Sequence, residues 1–220
     1  MESRRPEERP GAQEWVPVTD DVDDLRHAAA ACRGCELWQA ATQVVFSEGQ
    51  AGARLMLVGE QPRDREDRAG EPFVGPAGRM LDDALEAAGI PRGTAYLTNA
   101  VKHFRFELRG KRRIHEKPAT GHVVACRPWL EAEVAAVRPA VIVAMGATAA
   151  RAVLGRPVTI GEIRGTEVES EEWADARVLV TVHPSSLLRL REDADRRAAF
   201  RDFVADLRAA AELAAIAGGA

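Results

Sequence analysis

The sequence predicts an α/β fold: a three-layer αβα sandwich around a central, mostly parallel four-stranded sheet. Three observations predict it. Short apolar runs alternate with stretches of helical periodicity, the order of strand–helix–strand units whose crossovers make neighbouring strands parallel. The chain has 220 residues, enough for one domain with a full core and too few for a second large one. Hydrophobic residues make up 46% and charged residues 29%, an ordinary globular balance that argues against wholesale disorder.

Residues 1–20 are polar and rich in Arg, Glu and Pro, and read as a disordered tail. Residues 21–215 form the single expected domain, and 216–220 a flexible C-terminus. A helix starts after the acids of 20–24, with Leu25, Ala28 and Ala29 on one face. Residues 54–58 (RLMLV) are a short buried strand, followed by a loop over 59–78. Met80, Leu81, Ala84 and Leu85 stand at helical spacing, and Gly89 is a suitable C-terminal stop. Residues 95–97 form a second strand, and a long basic loop leads to a helix over about 120–137. Residues 140–144 (AVIVA) are a third strand, with a helix from Gly146 to Leu154. A Gly-punctuated stretch over 157–170 reads as a hairpin. The fourth strand covers 177–182, and a last helix about 193–214.

In such folds ligands bind beyond the carboxyl ends of the strands. Four segments therefore share one rim: 59–62 (GEQP), 98–103 (TNAVKH), 146–148 (GAT) and 183–186 (HPSS). The formal charge of −4 excludes a protein that holds nucleic acid by bulk charge. No apolar run approaches the roughly 18 residues of a membrane span, and the N-terminus has no apolar leader, so a soluble cytoplasmic protein is expected.

Between Lys102 and Lys117 lie seven basic residues opposed by Glu107 and Glu116. A concentrated cationic loop on an acidic body suits phosphate contact, although a solvated loop explains the charge equally well. Phe104 and Phe106 interleave with the cations, and bases can stack on aromatics. Cys32 and Cys35 have the spacing of a metal-ligand pair, Cys126 is a third thiol, and His103 is the best candidate for a fourth ligand. Three thiolates and an imidazole suit zinc or an iron–sulfur cluster, and spacing does not choose between them. The bland alternative is three buried free cysteines. Glu60, Asn99 and His183 fall on the rim, and His115 lies in the basic loop that leaves it. A carboxylate with an imidazole can form a nucleophile–base pair, and an Asn amide can read a base edge. Phe73, in a loop with no periodicity, is a core plug or a platform for a planar ligand. No G-x-G-x-x-G or Walker pattern is present, so a nucleotide cofactor has little support.

Together these pieces resemble the uracil-DNA glycosylase superfamily over about residues 25–210. The resemblance rests on 59–62 (GEQP), 70–82 (GEPFVGPAGRMLD), 98–104 (TNAVKHF) and 183–189 (HPSSLLR). The cysteines and strand order look like the iron–sulfur glycosylases of family 4. Gln61, the insertion KRRIH over 111–115, and His103 after Val101-Lys102 look instead like the UdgX branch. The resemblance implies a uracil-DNA glycosylase-like fold and a [4Fe–4S] cluster on Cys32, Cys35, His103 and Cys126. It further implies excision of uracil in DNA repair, followed by covalent capture of the abasic sugar at C1′ by His115, with Glu60 orienting the imidazole and taking its proton. Phe73 would stack on the flipped base, Asn99 would read its edge and His183 would stabilise the departing anion, with Gln61 and Asp64 nearby. Lys111, Arg112, Arg113, Ser185, Ser186 and Arg189 would contact DNA, single-stranded by preference, and the protein would act as a monomer. Two other readings stand beside this one: a multiple-turnover glycosylase in which Glu60 activates water, and a non-catalytic nucleic-acid-binding metal protein. The family's first motif usually ends in glycine, where this chain has Arg63, a change that narrows the pocket, alters the loop or contacts DNA.

Overall fold

The core is built by strands whose successive side chains face two different helical layers. The computed structural model describes residues 9–173 and 175–216; the expectations for residues 1–8 and 217–220 lie outside them. In chain order the elements are α1 (Val22–Ala29), β1 (Ser47–Glu48), β2 (Leu55–Gly59), α2 (Asp64–Ala69), α3 (Pro76–Ala88) and β3 (Ala95–Asn99). A hairpin of β4 (Phe106–Arg109) and β5 (Arg112–His115) follows, then α4 (Thr120–Val137), β6 (Val141–Met145) and α5 (Ala147–Leu154). The chain closes with α6 (Ile160–Ile163), β7 (Glu167–Val168), β8 (Arg177–Thr181), α7 (Pro184–Leu187) and α8 (Asp193–Ile216).

The main sheet has the order β1-β3-β2-β6-β8-β7. Its four central strands are parallel, with Gly59 opposite Asn99 at one junction and Val58 opposite Ala144 at the next. These are the four expected strands. The two edge strands are antiparallel and two residues long, too short to show a period in the sequence. Leu55, Leu57, Val143 and Leu179 pack with α3 and α8, whereas Met56, Val58, Ile142 and Val178 pack with α1, α4 and α5. The result is the expected layered sandwich.

Three expectations are corrected. Residues 59–78 are not one loop, because α2 and the start of α3 lie within them. The basic loop is a hairpin, paired from Phe106–His115 to Arg109–Arg112. The stretch 157–170 is half a hairpin: one helical turn precedes β7, which pairs antiparallel with β8.

Part of the supposed tail is docked. The Gly11 and Ala12 amides donate to the carbonyls of Gly34 and Ala125 at 3.0 and 2.7 Å. Ala12 is buried, and Arg9 forks onto Glu36, whose carboxylate also meets His122 Nε2 at 2.7 Å.

After β2 the chain first moves to β3 on one side, then crosses over β2 through α4 to reach β6 on the other. The carboxyl end of β2 is therefore the switch point of the sheet, where a crevice opens. Beneath it lies a buried ion pair, Lys102 Nζ to Glu133 Oε2 at 2.5 Å, joined by the hydroxyls of Tyr96 and Thr98. Both ions are essentially inaccessible to water. Removing one partner of such a pair strands the other charge. Glu133→Ala should therefore lower the unfolding free energy in urea by about 3–5 kcal/mol, and combining Glu133→Leu with Lys102→Met should recover most of that loss.

Candidate active site

Glu60 leaves the end of β2 at the switch point and is half-buried. Its Oε1 lies 3.1 Å from His115 Nε2, and its Oε2 accepts the Thr148 hydroxyl at 2.6 Å. Burial works to raise this carboxyl. The hydrogen bonds from His115 and Thr148, with the charges of His115 and His183, outweigh it and bring the pKa down to about 2. Glu60 is a fixed carboxylate at neutral pH.

His115 ends β5, so its position depends on how the hairpin is held. Gln61 spans the hairpin base: its amide donates to the carbonyls of Arg105 and Glu116 at 3.2 and 3.0 Å, and its oxygen accepts from the Arg105 amide at 3.1 Å. Arg113 is the second anchor. Its guanidinium bonds Asp64 Oδ1 at 2.5 Å and Asp67 Oδ2 at 2.6 Å on α2, and the Thr42 hydroxyl at 3.0 Å. It also lies over the rings of Phe104 and Phe106, 5.5 and 5.1 Å from their centroids. Phe104 is buried and stacks beside His115 at 6.4 Å. This corrects several expectations. Arg113 is not free for DNA, Asp64 faces the hairpin instead of a base, and the two phenyl rings hold the protein's own cation and imidazole. Gln61 does line the small cavity described next, but its amide is committed to the hairpin.

That cavity is bounded by Gln61, Arg63, Glu66, Phe73, Ala77, Asn99 and His183 and measures about 10 Å³, room for about one water. Phe73 and Asn99 are buried in its wall. Phe73 has φ 59°, a left-handed conformation that costs a non-glycine residue about 1–3 kcal/mol. Two glycines make room for it. A Cβ on Gly78 would lie 1.5 Å from the Phe73 carbonyl oxygen, and one on Gly59 would lie 2.7 Å from its ring and 2.4 Å from Asn99 Oδ1.

The cavity adjoins a cleft of about 720 Å³ whose walls include Glu60, Arg63, His115, Lys117, Thr148, His183, Ser185, Ser186 and Arg189. His183 faces both spaces. Its Nδ1 accepts the Ser185 amide at 3.1 Å and meets the Ser185 hydroxyl at 2.9 Å. A backbone amide can only donate, so the ring proton sits on Nε2. Burial pushes His183 down to about 4, with Glu60 opposing and Arg63 and Arg189 reinforcing. It is a neutral donor at physiological pH. Ser185, expected on phosphate, is buried and positions His183, while the Ser186 hydroxyl bonds the His183 carbonyl. Arg189 lies on the rim and bonds Ser185 through carbonyl and hydroxyl. Lys111 and Arg112 are exposed near the hairpin turn.

Cys32, Cys35 and Cys126 are free and buried, and His103 is buried as well. Cys32 Sγ accepts the Trp129 indole N–H and the Gly34 amide, and Cys126 Sγ accepts the Lys102 amide. Burial raises the Cys35 and Cys126 thiols to about 11 and about 12 and lowers His103 to about 4. Among the described residues, no three His, Cys, Asp or Glu side chains converge on one point as ligands of a single ion would. Three buried thiols and a buried imidazole are a soft donor set that zinc and an iron–sulfur cluster both accept.

The model of the uracil DNA glycosylase superfamily matches residues 46–208. The chain belongs to this superfamily. Among curated glycosylases, a type-4 uracil-DNA glycosylase of Thermotoga maritima is 36% identical, over 78% of this chain and 85% of that protein. One from Archaeoglobus fulgidus is 32% identical, over 79% and 88%. A type-5 enzyme of Pyrobaculum aerophilum is 31% identical, over 74% of each chain.

Within this glycosylase frame, three contributors were missed by reading the sequence. Thr148 had been placed on the rim without a role, yet it fixes Glu60. Asp67, one helical turn from Asp64, completes the Arg113 clamp, and the spacing of two acids opposite a basic insertion was the available signal. Lys117, read only as part of the cationic loop, lines the cleft. Gly59 supplies a test of the pocket wall. Gly59→Ala should cost about 1–3 kcal/mol through overpacking, seen as a lowered midpoint of thermal unfolding. Gly93→Ala, which meets nothing within 4 Å, should leave the midpoint nearly unchanged.

Proposed function

We propose that this protein excises uracil from DNA and remains covalently joined to the abasic sugar through His115. The observation that carries the reading is the His115–Glu60 pair, 3.1 Å apart, in a cleft that adjoins the pocket of Phe73, Asn99 and His183. A flipped uracil would lie against the Phe73 ring with Asn99 at its polar edge. Such extrusion costs less from single-stranded DNA, the preferred substrate in this reading. The C1′–N1 bond would break with its electron pair leaving on the base. The Nε2–H of His183 would donate to the developing oxyanion. A lone pair of the His115 imidazole would form the new bond to C1′, and the ring proton would pass to Glu60. The product, an N-alkylated imidazole, has no easy hydrolytic exit, so each molecule acts once. Lys111, Arg112, Lys117 and Arg189 would meet the phosphates.

Cys32, Cys35, His103 and Cys126 would hold a [4Fe–4S] cluster, whose contribution is structural. His103 and Cys126 flank the start of the hairpin segment, so the cluster would brace the region from which His115 is presented. A second reading, turnover with Glu60 activating water, draws support from the type-4 names of the relatives.

A denaturing gel separates them. The protein heated in SDS after mixing with a single-uracil oligonucleotide should give a band at the summed mass, absent with thymine. His115→Ala should abolish that band while leaving a slower release of free uracil. An alkali-cleavable abasic product with no adduct in the unsubstituted protein would establish turnover instead, and no change in the DNA would favour a binding module. The purified protein should be brown with a broad shoulder near ~400 nm that Cys126→Ser diminishes; a colourless, zinc-containing, active protein would overturn the cluster.

A further inference from the structure

Arg63 is the N-cap residue of α2. Its backbone is fixed: the amide donates to Glu66 Oε2 at 3.0 Å, and Glu66 Oε1 takes the Gly75 amide. Its side chain is different. Among the described residues, no carboxylate lies within 4.0 Å of the guanidinium, although eleven other arginines hold one. The half-buried cation has not been neutralised. Among the described residues, two line both the cleft and the small base pocket, His183 and Arg63. Arg63 thus stands at the junction crossed by the glycosidic bond of a base bound as proposed above. At about 10 Å³ the pocket admits a pyrimidine only when its wall gives way. An arginine side chain with no partner is the wall element that moves at least cost. Having moved, it remains beside the base.

Charge decides what it can do there. The sugar becomes electron-poor in the transition state and the base becomes anionic. A cation near the sugar would oppose reaction, and one near the base would favour it. Arg63 lines the small base pocket together with His183, Phe73 and Asn99, so its charge stands on the leaving-group side. We propose that Arg63 is a second stabiliser of the departing uracil anion, donating to its carbonyl oxygen alongside His183. The electron pair of the broken C1′–N1 bond stays on the base, and Arg63 neither gains nor loses a proton. The proposal rests on the glycosylase reading above.

Its test is a comparison of two leaving groups. Single-turnover base release is measured at saturating single-stranded DNA containing uracil or 5-fluorouracil, whose anion needs less help because fluorine withdraws charge. Arg63→Met, which keeps bulk without charge, and Arg63→Gly should slow uracil release about 10- to 100-fold. The same changes should slow 5-fluorouracil release much less, with Arg63→Lys recovering part of the rate. Equal losses on both bases would overturn the proposal. So would unchanged or faster rates, or a loss confined to affinity with a salt slope reduced by about one, the mark of a phosphate contact. If the unsubstituted protein releases neither base, the glycosylase reading fails and takes this proposal with it; release by that protein alone isolates the fate of Arg63.

Discussion

The arrangement depends on one guanidinium. Arg113 is clamped between the carboxylates of Asp64 and Asp67 and covered by two phenyl rings, with its side chain only 12% exposed. A two-stranded ribbon has marginal stability of its own, and β4–β5 shares no strand with the main sheet. Its place is set by side chains alone, Arg113 from within and Gln61 at its base. Where those hold, His115 meets Glu60; where they do not, the imidazole belongs to a loose cationic arm. Charge-assisted bonds to a planar fork have direction as well as strength, which is what aiming a ring requires.

The rigid side of the site has a different origin. Glu60, Asn99, Thr148 and His183 each sit at or just beyond the carboxyl end of a parallel strand, in positions set by the strand register. Backbone pairing across four strands is hard to displace, so the residues assigned to the base stand on the sheet and the residue assigned to the sugar reaches in from an appendage. Within the site the strained backbone is that of Phe73, whose carbonyl is closely approached by Gly78 and whose ring by Gly59.

Much of this was legible beforehand. Apolar runs such as Leu55–Val58 and Val141–Met145 announce strands buried on both faces, and the rim follows from their parallel order. The meeting of Glu60 with His115, 55 positions apart, was suggested by the rim and by the basic loop that leaves it, whereas the separate roles of the two came only through resemblance to a known family. The hairpin itself was hidden: each strand is four residues long, too short to establish a period, and β5 opens on two arginines. Gln61 and Asp64 were placed near the base through the family resemblance, but side chains after a strand end diverge: the Gln61 amide turns to the base of the hairpin and Asp64 to Arg113 on β5. The edge strands are two residues long and carry no period. Residues 9–16 looked like a tail because composition reports average polarity, and a segment can dock through two backbone amides and one buried alanine.

That docked segment has a consequence for the cysteines. The amides of Gly11 and Ala12 bind the loop between Cys32 and Cys35 on one side and the helix carrying Cys126 on the other, while the Arg9–Glu36–His122 chain fastens the same seam. Residues 9–12 thus tie together two thiol-bearing segments that the sequence keeps far apart, so the placing of Cys126 beside the Cys32–Cys35 loop is braced by backbone bonds from a third stretch of chain.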